Sequence, residues 1–175
     1  TFTMEENALF TYGEKRYRGG VRLQRLADGR VAIINMARVD QCLPGILAGE
    51  IHSYWPEAAL RAQAVAARTY ILNRKKTERG KDVDLVAGLH VAYPGYDEET
   101  DPVADAVRET RGIVLLHNDS FFPAFFHSVC GGHTADAAEG FGSAPESDFL
   151  KGVPCDYCTD APYYYWEVTF PLSQV

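Results

Sequence analysis

The apolar positions of this chain change their period several times. From Val21 to Met36 they run at a spacing of two, Val21 to Leu23 and Val31 to Ile33, with Leu26 and Met36 following each pair and "ADGR" between the arms. Alternation on both sides of an Asp-Gly turn predicts a β-hairpin. From Pro56 to Thr77 the period lengthens. Leu60, Ala64, Ala67 and Ile71 follow one another at 4-3-4 spacing, which places them on one face of a helix. Ser53 offers an N-cap region for this helix, Pro56 its first turn, and Glu57 a carboxylate near the positive dipole end. Between hairpin and helix, a short helix or turn starts at Asp40, and Leu43-Pro44-Gly45 interrupts it.

Beyond the long helix, residues 83–96 read as a loop with "YPGY" as a turn. "DPVADAVRET" opens a second, shorter helix, capped by Asp101 with Pro102 at its first position and closed by Gly112. "GIVLLHNDSFFPAFFHS" predicts a second hairpin turning at Asn118-Asp119, and "YYYWEVTF" a final strand after a Gly-rich connection. Hairpins and two separated helices predict an α+β fold, with β-hairpins or a mixed sheet packed against a long Ala-rich helix and a second shorter helix. The 175 residues are expected to form a single domain. The start at "TFTMEEN" and the end in a strand-like run suggest a segment trimmed at one or both ends.

Composition narrows the function classes. Hydrophobic residues make up 46% and charged residues 23%, the balance of an ordinary globular protein. No apolar run approaches ~20 residues, the length needed to span a bilayer as a helix. The net charge is −7, and the densest basic run, "RKKTERGK", complements the C-terminal end of the long helix. That balance argues against nucleic acid as a partner.

Candidate chemistry concentrates in two places. The first is Glu50, in a turn bracketed by Gly45 and Gly49 and followed by Tyr54 and Trp55. Glycines permit close approach of backbone or ligand. The aromatic rings offer faces for a sugar, and apolar cover raises a carboxyl's proton affinity, which suits a general acid. Glycoside cleavage usually employs two carboxylates, and Asp40, Asp97 and Glu139 are candidates for a second. One acid suffices if the substrate carries its own nucleophile. On the long helix, Glu57, Arg61 and Arg68 form a stripe that reads as a solvated ion-pair face. Gln63, between alanines, needs a polar partner.

The second place is "HSVCGGH" with "CDYC". His127, Cys130, Cys155 and Cys158 form H-x-x-C…C-x-x-C, two short-spaced pairs joined by a loop, as in a closed tetrahedral zinc site. His133 is the alternative to His127. Disulfides, Cys155–Cys158 or Cys130 to either, are the competing reading in an oxidising compartment. Cys42 stands apart and reads as a buried free thiol.

"LPGILAGEI" followed by "SYWPEAALRAQAVAARTYIL" resembles the signature of the SpoIID family, the stage II sporulation protein D domain. "FHSVCGGHTADAAEGFG" and "FLKGVPCDYC" with "YYYWEVTF" resemble its later segments. The resemblance implies a lytic transglycosylase that cleaves peptidoglycan between N-acetylmuramic acid and N-acetylglucosamine, leaves a 1,6-anhydro end, and prefers strands stripped of stem peptides. It implies Glu50 as the catalytic acid and base. It implies polar motif positions at Gln63, Arg68 and Tyr70, a further match at Tyr93, and a Ser/Cys-Gly-Gly loop at His127, Ser128, Gly131 and Gly132 that lines the groove. It implies a bacterial cell-envelope location, exported or membrane-anchored, and in some members a non-catalytic role as wall-binding or amidase-enhancing module, with other wall hydrolases as partners. One departure is plain: Val91 stands where the family's Gln-x-Tyr element carries glutamine, so metal ligands known from that stretch do not carry over. The structural zinc expected here rests on the cysteine and histidine spacing.

Overall fold

In the computed structural model, residues 8–80, 83–141 and 148–171 are described. They fall into two compact units, one up to Phe125 and one from Phe126. The mixture of small antiparallel sheets and helices is α+β, as the sequence predicts.

In the first unit two hairpins come first. β1 (Leu9–Tyr12) pairs with β2 (Lys15–Arg18) across a turn at Gly13, and Phe10 faces Tyr17 in register, their rings stacked at 5.5 Å. This first hairpin lies upstream of the stretch whose pattern predicts one. Its signal, Phe10 and Tyr12 alternating before a glycine whose φ is +62°, is short but present. β3 (Gly20–Arg25) pairs with β4 (Val31–Met36) with Leu23 opposite Ile33, the predicted hairpin. Leu23, Val31 and Ile33 share a face as expected, but that face is exposed. Gly19 joins the hairpins at φ +95°, and a Cβ there would stand 2.4 Å from the Met36 carbonyl oxygen. β2 docks on a 3-10 turn at Tyr96–Glu98. Arg16 Nε donates to Asp97 at 2.7 Å, Arg18 Nε to Glu99 at 3.0 Å, and both guanidinium groups lie over the Tyr96 ring.

The largest correction concerns the stretch before the long helix. Residues Val39–Glu50 form one continuous helix, α1, with Pro44 inside it. Proline there forgoes the bond to the Asp40 carbonyl, a cost met inside the helix, and the buried run Leu43–Leu47 around it holds the helix together through packing. Gly45 and Gly49 do not break the helix either. They are one turn apart on one face, and the Ala92–Gly95 segment lies against them. A Cβ on Gly45 would stand 2.9 Å from the Gly95 carbonyl oxygen, and one on Gly49 2.7 Å from Ala92 Cβ. The glycines are there for close approach, and Glu50 is the last residue of a helix rather than part of a turn.

α2 spans Glu57–Thr77, with Pro56 rather than Ser53 at its N-cap. Its predicted face, Leu60, Ala64, Ala67 and Ile71, is buried against α1's Leu43, Ile46 and Leu47 and against Val103, Ala106 and Val107 of α3 (Asp101–Glu109). Thr100 takes α3's N-cap position that Asp101 was expected to hold. Leu47 is fully buried, so Leu47→Ala is expected to cost about 3 kcal/mol in a denaturant melt, transfer and cavity terms together. After α3, Gly112 turns the chain at φ +77°. Asn118 and Asp119 both adopt positive φ, and His117 and Ser120 exchange backbone hydrogen bonds at 3.0 and 3.1 Å. The predicted turn is therefore present, while the flanking residues form no ladder beyond that bridge.

The second unit is loop-rich. It holds α4 (Ala137–Phe141) and a 3-10 turn at Asp148–Leu150. The arms 132–136 and 152–155 run side by side: Thr134 N donates to the Val153 carbonyl at 2.9 Å, Cys155 N to the Gly132 carbonyl at 2.9 Å, and Gly152 N to the Asp136 carboxylate. The predicted strand at 163–170 carries no ladder, and Tyr163, Tyr165 and Trp166 are exposed.

Candidate active site and thiolate cluster

Glu50 ends α1 with its side chain exposed, and its Oε1 accepts the Ala92 backbone N–H at 2.6 Å. A carboxylate held by a backbone donor on a packed helix has one preferred placement. The apolar cover expected from Tyr54 and Trp55 is not built: Tyr54 is 80% exposed and stacks on His52 at 5.1 Å. Across from Glu50 on α2, Tyr70 is half-buried with its ring 6.1 Å from Phe125. Burial pushes its phenol up; the Arg74 charge opposes this and the Glu50 charge adds to it, so the three groups share one neighbourhood.

Arg74 connects that edge to the 83–91 loop. Its Nη2 lies 3.2 Å from Glu78 and 3.1 Å from His90 Nε2, while His90 Nδ1 accepts the Val86 N–H at 3.0 Å. His90 is held below the usual imidazole range, first by burial, then by Arg74, with Glu78 opposing. Its ring protons should titrate with a midpoint below about 6.5 in an NMR pH series, and Arg74→Gln should move that midpoint up.

The other helix positions separate by role. Gln63 is half-buried, two turns before Tyr70. Arg61 is the surface pair of the expected stripe, bridging Glu57 and Glu109. Arg68 is not on a solvated face at all: it is 3% exposed. Its Nε donates to Asp40 at 2.9 Å, Nη2 to the Val107 carbonyl at 3.1 Å, and Nη1 to Ile113 O and Thr110 Oγ1 at 3.2 and 3.3 Å. α3 covers the part of the stripe that periodicity alone leaves open. Tyr93 is likewise held in the structure, edge-on to Tyr17, donating to Asn35 Oδ1 at 3.3 Å, with burial pushing its phenol far up. Of the candidate second carboxylates, Asp40 pairs with Arg68 and Asp97 with Arg16, while Glu139 lies exposed on α4 in the other unit. A cavity of about 600 Å³ opens among Tyr17, Met36, Cys42, Lys75 and Tyr93, and Glu50 is not part of its lining. Burial pushes the Cys42 thiol up to about 12, in keeping with an inert free thiol.

In the second unit the structure gathers Cys130, Cys155 and Cys158, with ligand atoms within 4.8 Å of one another and Cys130 Sγ 3.6 Å from Cys158 Sγ. Three thiolates on one zinc at 2.3 Å stand about 3.8 Å apart, so this spacing fits. Two main-chain N–H groups act on the thiols, Gly132 on Cys130 and Tyr157 on Cys155. The first of these chiefly holds the Cys130 thiol down. At Cys155 the bond to Cys130 and burial outweigh the donor and hold that thiol up. The expected histidine is not brought in. His127 is exposed, and His133 Nδ1 is engaged by the Thr134 carbonyl at 2.6 Å; neither belongs to the ligand group. The four cysteines are free thiols. Ser128 and Gly131 are exposed, and Gly131 and Gly132 adopt φ of +64° and +101° that favour glycine.

A scaffold of short hairpins and helices that fixes one carboxylate at a helix end, with a separate thiolate cluster, defines an α+β carboxylate-bearing domain. The chain belongs to the SpoIID family: the family model of the stage II sporulation protein matches residues 27–117, from the β3–β4 turn to the second predicted hairpin. It is 33% identical over 152 residues to an uncharacterized protein of Brachyspira hyodysenteriae, covering 85% of this chain and 40% of that one. It is 35% identical over 133 residues to the amidase enhancer of Bacillus subtilis, covering 76% of this chain and 17% of that protein. It is 26% identical over 152 residues to stage II sporulation protein D of the same organism, covering 78% and 44%. The chain thus spans less than half the length of these relatives.

Proposed function

We propose that this chain is a peptidoglycan lytic transglycosylase domain acting outside the cytoplasm in a bacterial envelope, with Glu50 as its acid and base. The observation that carries this reading is the placement of Glu50: exposed, at a helix end, and held by a backbone donor, with no ion pair to it among the described residues. Glu50 protonates the glycosidic oxygen as the bond from the muramyl C1 breaks. The resulting carboxylate then takes the proton of the muramyl C6 hydroxyl as that oxygen closes on C1. The proton returns to Glu50, and the products are a 1,6-anhydro end and a new glucosaminyl hydroxyl. Asp40 and Asp97, tied to arginines, are not needed for this route, because the nucleophile is intramolecular. Sugar rings bound over Tyr54 and Trp55 would supply the cover that the carboxyl lacks in the free protein. Gln63 and Tyr70, on α2 beside Glu50, are assigned as glycan contacts. Digestion of purified, peptide-stripped strands, with ends read by mass spectrometry, tests the reading. Anhydro ends are expected; ordinary reducing ends would mean hydrolysis.

A second reading has its own support, the relative named amidase enhancer. Under it the domain binds wall glycan beside an amidase and cleaves nothing. Strands retained without any new ends would select this reading.

We assign the thiolate cluster to a structural zinc held by Cys130, Cys155 and Cys158, the chemistry a soft donor set selects. When bound, zinc ties the two arms of the second unit together. One equivalent of zinc per chain is expected by elemental analysis of reduced protein, and Cys158→Ser should lose it. A chelator should lower the thermal midpoint. An unchanged midpoint with a Cys130–Cys158 cross-link on peptide mapping would select the disulfide reading.

A further inference from the structure

The contact that holds Glu50 depends on two missing side chains. Glu50 Oε1 accepts the Ala92 N–H at 2.6 Å because residues 92–95 lie directly on α1. A Cβ on Gly49, the residue before the acid, would stand 2.7 Å from Ala92 Cβ and 2.8 Å from Pro94 Cδ. One on Gly45 would stand 2.9 Å from both the Gly95 carbonyl oxygen and Tyr93 Cε2. Neither a proline ring carbon nor backbone can swing aside as a flexible side chain would. Gly49 is exposed and its φ lies outside the region that demands glycine, so neither core packing nor backbone conformation accounts for it. The methyl-sized gap between α1 and the segment does.

We propose that Gly49 is a positioning residue for Glu50, and that the Ala92 N–H selects which carboxyl oxygen carries the transferable proton. The inference rests on the reading of Glu50 as the acid. A protonated carboxyl has one carbonyl and one hydroxyl oxygen. The N–H needs an acceptor, so Oε1 keeps the carbonyl role and the proton resides on Oε2. Without that donor the two oxygens become equivalent and the carboxyl turns freely about its last torsion. The reactive orientation is then one of several rather than the preferred one.

The test compares wild type, Gly49→Ala, Gly49→Ala with Ala92→Gly and Pro94→Ala, and Glu50→Gln in the full chain. Each is assayed for anhydro ends from peptide-stripped strands and for the amide signal of residue 92 by NMR. Gly49→Ala is expected to lower kcat by about 10- to 100-fold with KM nearly unchanged, the scale of a small misplacement of a reacting group. The triple variant, which removes the two atoms the new methyl meets, should recover much of that loss; a purely structural defect would not be mended by removing two more packing groups. The Ala92 amide proton should lie downfield in wild type and move upfield in Gly49→Ala and in Glu50→Gln. If Gly49→Ala does not fold, Ala92→Pro deletes the donor and leaves α1 intact, and the same loss of kcat is expected. Wild-type turnover in the folded Gly49→Ala or Ala92→Pro chain would overturn the positioning role while leaving Glu50 as the acid. No anhydro ends from wild type would overturn the function first, and the positioning role with it.

Discussion

Glu50→Gln is expected to remove anhydro-muramyl ends from the digest of peptide-stripped strands while the strands still bind. The amide matches the carboxyl in size and can still accept the Ala92 N–H through its oxygen. It has no proton to give to a leaving oxygen and no affinity for the one released at the C6 hydroxyl. General acid–base groups contribute about 10²- to 10⁴-fold, and here one group serves both halves of the reaction, so the loss should lie toward the upper end of that range. Binding measured by pull-down with the same strands separates this outcome from misfolding. Equal product from Glu50→Gln and wild type would move the chemistry elsewhere, and the arginine-bound Asp40 and Asp97 would be poor successors.

The second large effect is on stability. Arg68→Met is expected to cost about 3–5 kcal/mol, the range for removing one partner of a buried, hydrogen-bonded charge. The guanidinium touches α1 through Asp40, α3 through Val107 and Thr110, and the following chain through Ile113. Two of those acceptors are main-chain carbonyls at or just past the C-terminal end of α3, where a cation also meets the negative end of the helix dipole. Methionine fills the space and leaves these acceptors without a donor. Arg61→Met, on the same stripe but exposed, should change stability by less than about 1 kcal/mol. Parallel urea melts of the two variants make the comparison, and equal costs would sink the account of Arg68 as a hub.

The pair also marks how far the sequence carries. The 4-3-4 spacing of Leu60, Ala64, Ala67 and Ile71 finds α2 and its buried face, because a helix that must bury one side writes that need into its period. The same period puts Arg61 and Arg68 on one stripe and cannot say that α3 closes over only the second. α1 is hidden for a different reason. Pro44, Gly45 and Gly49 carry local breaker signals, and tertiary contact with residues 92–95 overrides them. The turn at Asn118-Asp119 is legible because its residues tolerate positive φ. Of the site, Glu50 stands out by its neighbours in sequence, but its backbone partner, 42 residues on, leaves no trace in side-chain identity. The C-x-x-C and the upstream cysteine find the thiolate cluster. The histidines at 127 and 133 sit at ligand spacing too, yet in the structure one is exposed and the other is held by Thr134.

The glycine contact between α1 and Ala92 has a consequence for genetics. Alanine scanning finds functional residues by deleting side chains, and here there is nothing to delete. Residue 92 is already alanine, its contribution is a main-chain N–H, and Gly49 contributes an empty space. A truncation scan would pass over both and report Glu50 as an isolated acid. Only substitutions that add atoms, or proline in place of an amide donor, make this support visible.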